Sequence, residues 1–250
     1  MIKLKNQDEI DRIRESCRLL DRTHRKLAEM VEEGITTLEL DRFARDFIQK
    51  NGGKPAFLGY MGYPASLCTS VNDVVIHGIP DKRKLENGDI ISLDLGIDLN
   101  GYFSDAARTV AVGPISREVQ KLIDVTRSCL YAGIDQAKEG NRIHDISSAV
   151  FDHANAYGFG VVRDYCGHGV GFSQHEDPQI PNYVSRGPNP RIKAGMVLAI
   201  EPMINMGTWK VTLMDDEWTV KTADGMYSAH WEHTIAVYRD HTEILTESEE

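Results

Sequence analysis

Asn100-Gly101 constrains the fold more than any other feature of the chain. The pair is flanked by two strand-like runs, Asp89-Ile-Ile-Ser-Leu-Asp94-Leu-Gly96 before it and Tyr102-Phe-Ser-Asp105-Ala-Ala-Arg-Thr-Val110 after it. Asn-Gly suits the two positive-φ positions of a two-residue hairpin turn. If the turn closes there, Leu99 opposes Tyr102 and Asp94 opposes Ala107. Asp105 is then the diagonal neighbour of Asp94 on the same face, at a Cα separation of roughly 7–8 Å. Both aspartates interrupt patterns that should be apolar. Two bare carboxylates held so close repel each other and call for a shared proton or for cations.

Three more segments supply partners. Gly167-His168-Gly169-Val170-Gly171 sets a histidine between glycines, read as a tight loop after the short strand pattern Val161–Tyr165. Glu201 ends the apolar run Val197-Leu-Ala-Ile and precedes Pro202, while Glu232 opens the run His-Thr-Ile235-Ala-Val. Each alone is an ordinary charged residue at a strand end. Together they place several ionisable groups at apolar strand positions, where burial is costly unless something binds them. Two Asp, two Glu and one His form a mostly oxygen donor set, and four carboxylates balance two divalent ions. Such hard donors suit Mn, Fe(II), Co or Mg, and zinc is compatible. Paired metals roughly 3.5–4 Å apart share a water, lower its pKa and present it as a nucleophile.

Composition narrows the class. The chain has 250 residues, 28 Lys+Arg against 38 Asp+Glu, a formal charge of −10, and is 41% hydrophobic and 26% charged. That is an ordinary globular balance, and the acid excess argues against DNA or RNA as a partner. No run approaches the roughly 20 apolar residues of a membrane span. The N-terminus, MIKLKNQDEIDRIRESC, turns charged before a signal-peptide core forms, so a cytoplasmic protein is expected. Cys17, Cys68, Cys129 and Cys166 are scattered, with no CxxC pair, and read as reduced thiols.

Helical patterns run from about Asp8 to Glu33 and, after the capping-box pattern Thr36-x-x-Glu39, through Leu40, Phe43, Ala44, Phe47 and Ile48. Strands are expected from about Ser66 to Val112, helices at about Ser116–Lys138 and Ile143–Ala156, and strands again in the C-terminal third. Glu33-Gly34 and Gly52 recur as Glu139-Gly140 and Gly158 at an offset of 106, which suggests a duplicated α+β half. Asp177–Gly195 holds four of the nine prolines and reads as a surface loop, and the acidic end 247–250 as a solvated tail.

The ordered series Asp94, Asp105, His168, Glu201 and Glu232 closely resembles the type I methionine aminopeptidases. The supporting motifs are Val75-Ile-His-Gly-Ile-Pro80, Ser92-Leu-Asp-Leu-Gly96, Ser104-Asp-Ala-Ala-Arg-Thr109, Cys166-Gly-His-Gly-Val-Gly171, Ile200-Glu-Pro-Met203 and Glu232-His-Thr234. They cover essentially the whole chain. The resemblance implies a single catalytic domain, residues 1–250, with the pita-bread fold. That is an α+β architecture of two pseudo-symmetric halves, about 1–112 and 113–250, around a central, mainly antiparallel sheet. It implies a metalloaminopeptidase that removes initiator methionine from nascent polypeptides with a small second residue, a dinuclear metal-bound hydroxide attacking the first peptide bond.

By the same resemblance Asp94, Asp105, His168, Glu201 and Glu232 hold two divalent ions (Co, Mn, Fe(II), Zn or Ni). Asp105 and Glu232 would bridge them, and Glu201 would double as general base. His175 would contact the scissile peptide and His77 the residue after it. Phe57, Tyr60, Tyr63, Cys68, Met203 and Trp218 match the methionine pocket, where sulfur–aromatic contact suits a thioether. A Na or K ion would sit near Asn72, Val74 and Ser228. A monomer with transient ribosome contact is the family pattern. Three residues depart from many relatives: Met61 stands for a histidine, Gln174 for an apolar pocket residue, and His230 for a glutamine. Three other readings fit less well. X-Pro peptidases share the fold but usually carry an extra N-terminal domain, and type II methionine enzymes carry an insertion where only 33 positions separate His168 from Glu201. A non-catalytic binding module of this fold would be expected to lose ligands, and all five are present.

Overall fold

A computed structural model describes residues 1–247. The acidic-tail expectation falls mostly on 248–250, outside the described residues, and Glu247 accepts a hydrogen bond from Tyr131 at 2.9 Å. The first half begins with α1 (Gln7–Met30) and α2 (Thr37–Lys50), followed by β1 (Lys54–Pro55), β2 (Cys68–Val71), β3 (Val74–Ile76), β4 (Ile90–Leu99) and β5 (Tyr102–Ala111). The second half opens with α3 (Arg117–Ile134) and α4 (Ile143–Ala156). Its strands are β6 (Gly160–Val161), β7 (Gly167–Gly169), β8 (Glu176–Ile180), β9 (Val197–Ile200), β10 (Met203–Asn205), β11 (Val211–Leu213), β12 (Val220–Thr222), β13 (Ser228–His230), β14 (His233–Val237) and β15 (Thr242–Ile244).

The helices start where the side chains can satisfy free backbone N–H groups. Thr36 and Glu39 form the predicted capping box of α2, and Asn6 with Glu9 forms another at α1. Both ends of α4 lie 106 positions after those of α2, matching the repeat. Helix α1 stops at Met30, three residues short of the expected end, because Val31 takes an extended conformation. In the first half Leu20, Leu27, Leu40 and Ile48 pack on Ile91, Leu93, Leu95 and Ile97 of β4. In the second, Leu130, Ile134, Ile143 and Ile146 pack on Leu198, Ile200, Ile235 and Val237. Each helix pair thus covers a sheet with a continuous apolar face, the main stabilising contribution in such a layer. Among the described residues no helix is long and apolar enough to cross a membrane.

The hairpin register is the predicted one: Leu99 pairs with Tyr102, Asp94 with Ala107 and Gly96 with Asp105. Strand β4 also pairs with β1 and β2, and β14 and β9 form a second sheet with β7, β8 and β15. The free edge of β5 faces the second half. Ala107 and Glu232 exchange backbone hydrogen bonds of 3.4 and 2.9 Å, and Phe103 N–H donates to Gly171 at 2.8 Å.

Two expectations need correction. His168 lies in strand β7 rather than in a loop, between glycines that let neighbouring chains approach. A Cβ on Gly167 would fall 2.4 Å from the Ala199 carbonyl, and one on Gly169 2.3 Å from that of Asp177. The stretch 177–195 is not all loop either, since β8 occupies its first residues and pairs with β7.

Candidate metal centre

The five predicted ligands converge where β5 meets β14. Asp94 and Asp105 come from adjacent hairpin strands, His168 from β7, Glu201 from the end of β9, and Glu232 from the residue before β14. Ligand atoms of Asp94, Asp105 and Glu232 lie within 4.8 Å of one another, as do those of His168, Glu201 and Glu232. Glu232 therefore belongs to both groups. A third such group joins Asp105, His168 and His175. His168 Nε2 stands 3.5 Å from Asp105 Oδ2 and 3.5 Å from Glu201 Oε1, while its Nδ1 bonds to the Gly169 carbonyl at 2.9 Å. That backbone contact leaves Nε2 to face the carboxylates.

The backbone of Asp105 is fixed from the second half. Its N–H donates to Thr234 Oγ1 at 3.1 Å, and Thr234 O–H donates to its carbonyl at 2.7 Å. Thr234 stands in the Glu232-His-Thr234 motif, but nothing local to that motif marks it as an anchor for a strand 129 positions away.

The donor chemistry fits bound cations. Asp94 Oδ1, Asp105 Oδ1 and Glu232 Oε1 are buried with no hydrogen-bond partner, an arrangement that costs free energy unless cations supply the missing contact. Burial first, and the other carboxylates second, push Asp94, Glu201 and Glu232 well above the usual carboxylate range. Burial also raises Asp105, opposed in part by hydrogen bonds from Gln174 and the backbone. Burial lowers His168 to about 4, keeping its imidazole neutral and able to donate a lone pair.

A cavity of about 310 Å³ opens beside this cluster. Its apolar part is made by Phe57, Tyr60, Met61, Tyr63, Cys68 and Trp218, with His77 and His175 at the boundary. Tyr63 meets Trp218 edge-on, ring centres 5.1 Å apart, and donates its hydroxyl to the Leu67 and Gly78 carbonyls. Cys68 pairs with Asp94 across β2 and β4, and burial pushes its thiol well up. His77 has φ +58° and stands edge-on to Tyr165 and Trp218. Burial lowers it to about 4. His175 lies at the exposed rim, where its Nδ1 bonds to the Tyr60 hydroxyl at 2.9 Å and its ring centre is 4.2 Å from that of His168.

Two expected pocket residues lie elsewhere. Met203 is fully buried among Val75, Ile76, Val162 and Val220 and does not line the cavity. Gln174 is 2% exposed and donates its amide to Asp105 Oδ2 instead of forming a wall. Met61, by contrast, is 83% exposed at the cavity mouth. His230 is buried behind Glu201, its Nε2 3.8 Å from Glu201 Oε2. Of the cation residues, Asn72 accepts a backbone hydrogen bond from Ser228 at 2.8 Å and Val74 lies in β3. The Asn72 amide is already occupied by Asp89 and the Ile90 N–H.

Residues 11–239 match metallopeptidase family M24. A methionine aminopeptidase of Clostridium perfringens is 52% identical over 246 residues, covering 98% of this chain and 99% of that one. The crystal structure of methionine aminopeptidase from Rickettsia prowazekii superposes with a TM-score of 0.96 at 38% identity, covering 99% of this chain and 100% of that one. A prolidase from Pyrococcus furiosus shares the fold at 23% identity and a TM-score of 0.78, covering 99% of this chain and 66% of its own. The architecture is thus the pita-bread fold, and the chain belongs to metallopeptidase family M24.

Proposed function

We propose that this chain is a methionyl aminopeptidase that removes the initiator methionine from nascent polypeptides, preferring a small second residue. One observation carries the reading: a buried donor set of four carboxylates and one imidazole borders a cavity walled by aromatic rings and a thiol. Asp94, Asp105, His168, Glu201 and Glu232 would hold two divalent ions, with Asp105 and Glu232 shared between them. When bound, such ions supply Lewis acidity toward the scissile carbonyl and an activated water.

The remaining chemistry belongs to the chain. Phe57, Tyr63 and Trp218 surround the methionine side chain and exclude water from it, and Cys68 adds a soft contact for the thioether. Glu201, the carboxylate at the end of the apolar run 197–200, accepts a proton from the attacking water and returns it to the departing amine. The neutral His175, held in place by Tyr60, hydrogen-bonds the scissile peptide, and the neutral His77 faces the residue after the cut. A large second residue would meet the rim formed by Tyr60, Met61 and His175. A Na or K ion near Asn72, Val74 and Ser228 would have a structural role. The reading includes a cytoplasmic monomer that meets its substrates at the ribosome.

The test is methionine release from Met-Ala-Ser and Met-Pro peptides against Met-Leu and Ala-Pro controls. Metal-stripped protein is titrated with Mn, Fe(II) and Co beside an Asp105→Asn variant. Metal-dependent release from the small-second-residue peptides, lost in the variant, supports the proposal. Preferential cleavage of Ala-Pro would move the assignment to an X-Pro peptidase, and no turnover with any metal would refute it.

A further inference from the structure

Gln174 lies where an apolar wall was expected, and the fold accommodates its amide at some cost. The side chain is buried, its Oε1 has no hydrogen-bond partner, and its Nε2 donates to Asp105 Oδ2. An apolar residue of the same size would avoid that unsatisfied oxygen but would leave Asp105 Oδ2 without its donor. Opposite Asp105 in the hairpin register stands Gly96. Its backbone does not require glycine, since it is absent from the residues with positive φ. Space explains it: a Cβ there would fall 2.6 Å from Gln174 Oε1, 2.7 Å from Nε2 and 2.9 Å from Cδ, and these are its three nearest atoms. The amide occupies the space that a side chain on Gly96 would need.

We infer that Gln174 is a positioning residue for the Asp105 carboxylate, its amide holding Oδ2 and so fixing how that carboxylate faces His168, Asp94 and Glu232, with Gly96 providing the room. The inference rests on the metal reading proposed above. Without the amide, the Asp105 carboxylate keeps the backbone contact of Ala106 and the 3.5 Å approach of His168 Nε2 but loses its one side-chain amide donor, and it is freer to turn away from Asp94 and Glu232. Outer hydrogen bonds of this kind typically change metal affinity by about ten- to a hundred-fold when removed.

The test is Mn(II) titration calorimetry on the metal-stripped full chain and on the Gln174→Leu, Gly96→Ala and double variants, with the melting temperature of each apoprotein. Gln174→Leu should weaken Mn(II) binding by about ten- to a hundred-fold, while its apoprotein melts at the wild-type temperature or above. Gly96→Ala, which displaces the amide without touching a ligand, should produce a similar loss. The double variant should bind no worse than the weaker single one, because both changes break one contact. Wild-type affinity in Gln174→Leu would overturn the inference. So would a loss that follows a lowered apoprotein melting temperature, or losses that multiply in the double variant. A wild-type chain that takes up no Mn(II) would instead overturn the metal reading itself.

Discussion

Asp94→Asn should make the metal-free protein more stable while abolishing its response to metal. Asp94 is 8% exposed, its Oδ1 has no partner, and its ligand atom lies within 4.8 Å of those of Asp105 and Glu232. Two full charges about 5 Å apart repel by about 3 kcal/mol at an effective dielectric of about 20. A buried unpaired carboxyl oxygen costs about 1–3 kcal/mol. The native group avoids part of this by holding a proton, so the gain from an uncharged amide is about 1–3 kcal/mol. For a chain of this size each kcal/mol moves the melting temperature by about 2–4 °C, giving a rise of about 2–12 °C. The sign of the pH dependence follows from the raised folded-state pKa. The folded apoprotein holds protons that the unfolded chain releases, so this contribution is present below the ordinary carboxylate range and is lost as pH rises. The advantage of Asp94→Asn should therefore be larger at pH 8 than at pH 5. Differential scanning calorimetry of the two chelator-treated proteins, with and without added Mn(II), measures it. A variant that melts at or below the wild-type temperature at pH 8 would refute the argument that these carboxylates oppose one another.

Metal uptake should release protons, so the melting-temperature rise on adding Mn(II) to the wild type should grow between pH 5 and pH 8; titration in two buffers of different ionisation enthalpy counts the protons. His175→Ala should retain Mn(II) binding but lower kcat/KM by about 10²-fold or more, a size typical of a lost hydrogen-bonding or proton-transferring group. Tyr60→Phe, which removes only the hydroxyl that fixes the ring, should cost less. Thr234→Val deletes two hydrogen bonds to the Asp105 backbone and should destabilise the protein by about 1–3 kcal/mol, seen in denaturant unfolding. Gly169→Ala should lower stability by about 1–3 kcal/mol or more, because its Cβ meets the Asp177 carbonyl and a backbone cannot move aside as a side-chain tip can.

What the sequence made legible was what short-range rules govern. Asn100-Gly101 set the hairpin register, and the register placed Asp94 and Asp105 on one face without any knowledge of the rest of the chain. Helix starts at Thr36 and Ser116 were equally local. The glycines on both sides of His168 read as a turn, whereas in the structure they lie in β7 and admit neighbouring carbonyls. Met203 and Gln174 belong to the pocket only by resemblance, which carries positions but not burial. Burial decided otherwise: one side chain joins a separate apolar cluster and the other turns toward Asp105. Thr234 could be found only from the meeting of β5 with β14, a contact between residues 129 positions apart.

The exchange of hydrogen bonds between Ala107 and Glu232 has a kinetic consequence. Two of the proposed ligands, Asp94 and Asp105, come from the first half and three, His168, Glu201 and Glu232, from the second, so neither half alone contains the complete proposed ion site. In a folding order where each half forms before the two meet, the repulsion of Asp94 and Asp105 by Glu201 and Glu232 arises only at closure, which places the metal's contribution at the end of folding. Interactions formed that late act on the rate of unfolding far more than on the rate of folding. Bound ions would then serve as a clasp between the halves: their chief effect on the protein would be to lengthen its lifetime once closed, and chelation would hasten its opening while leaving its assembly rate nearly unchanged.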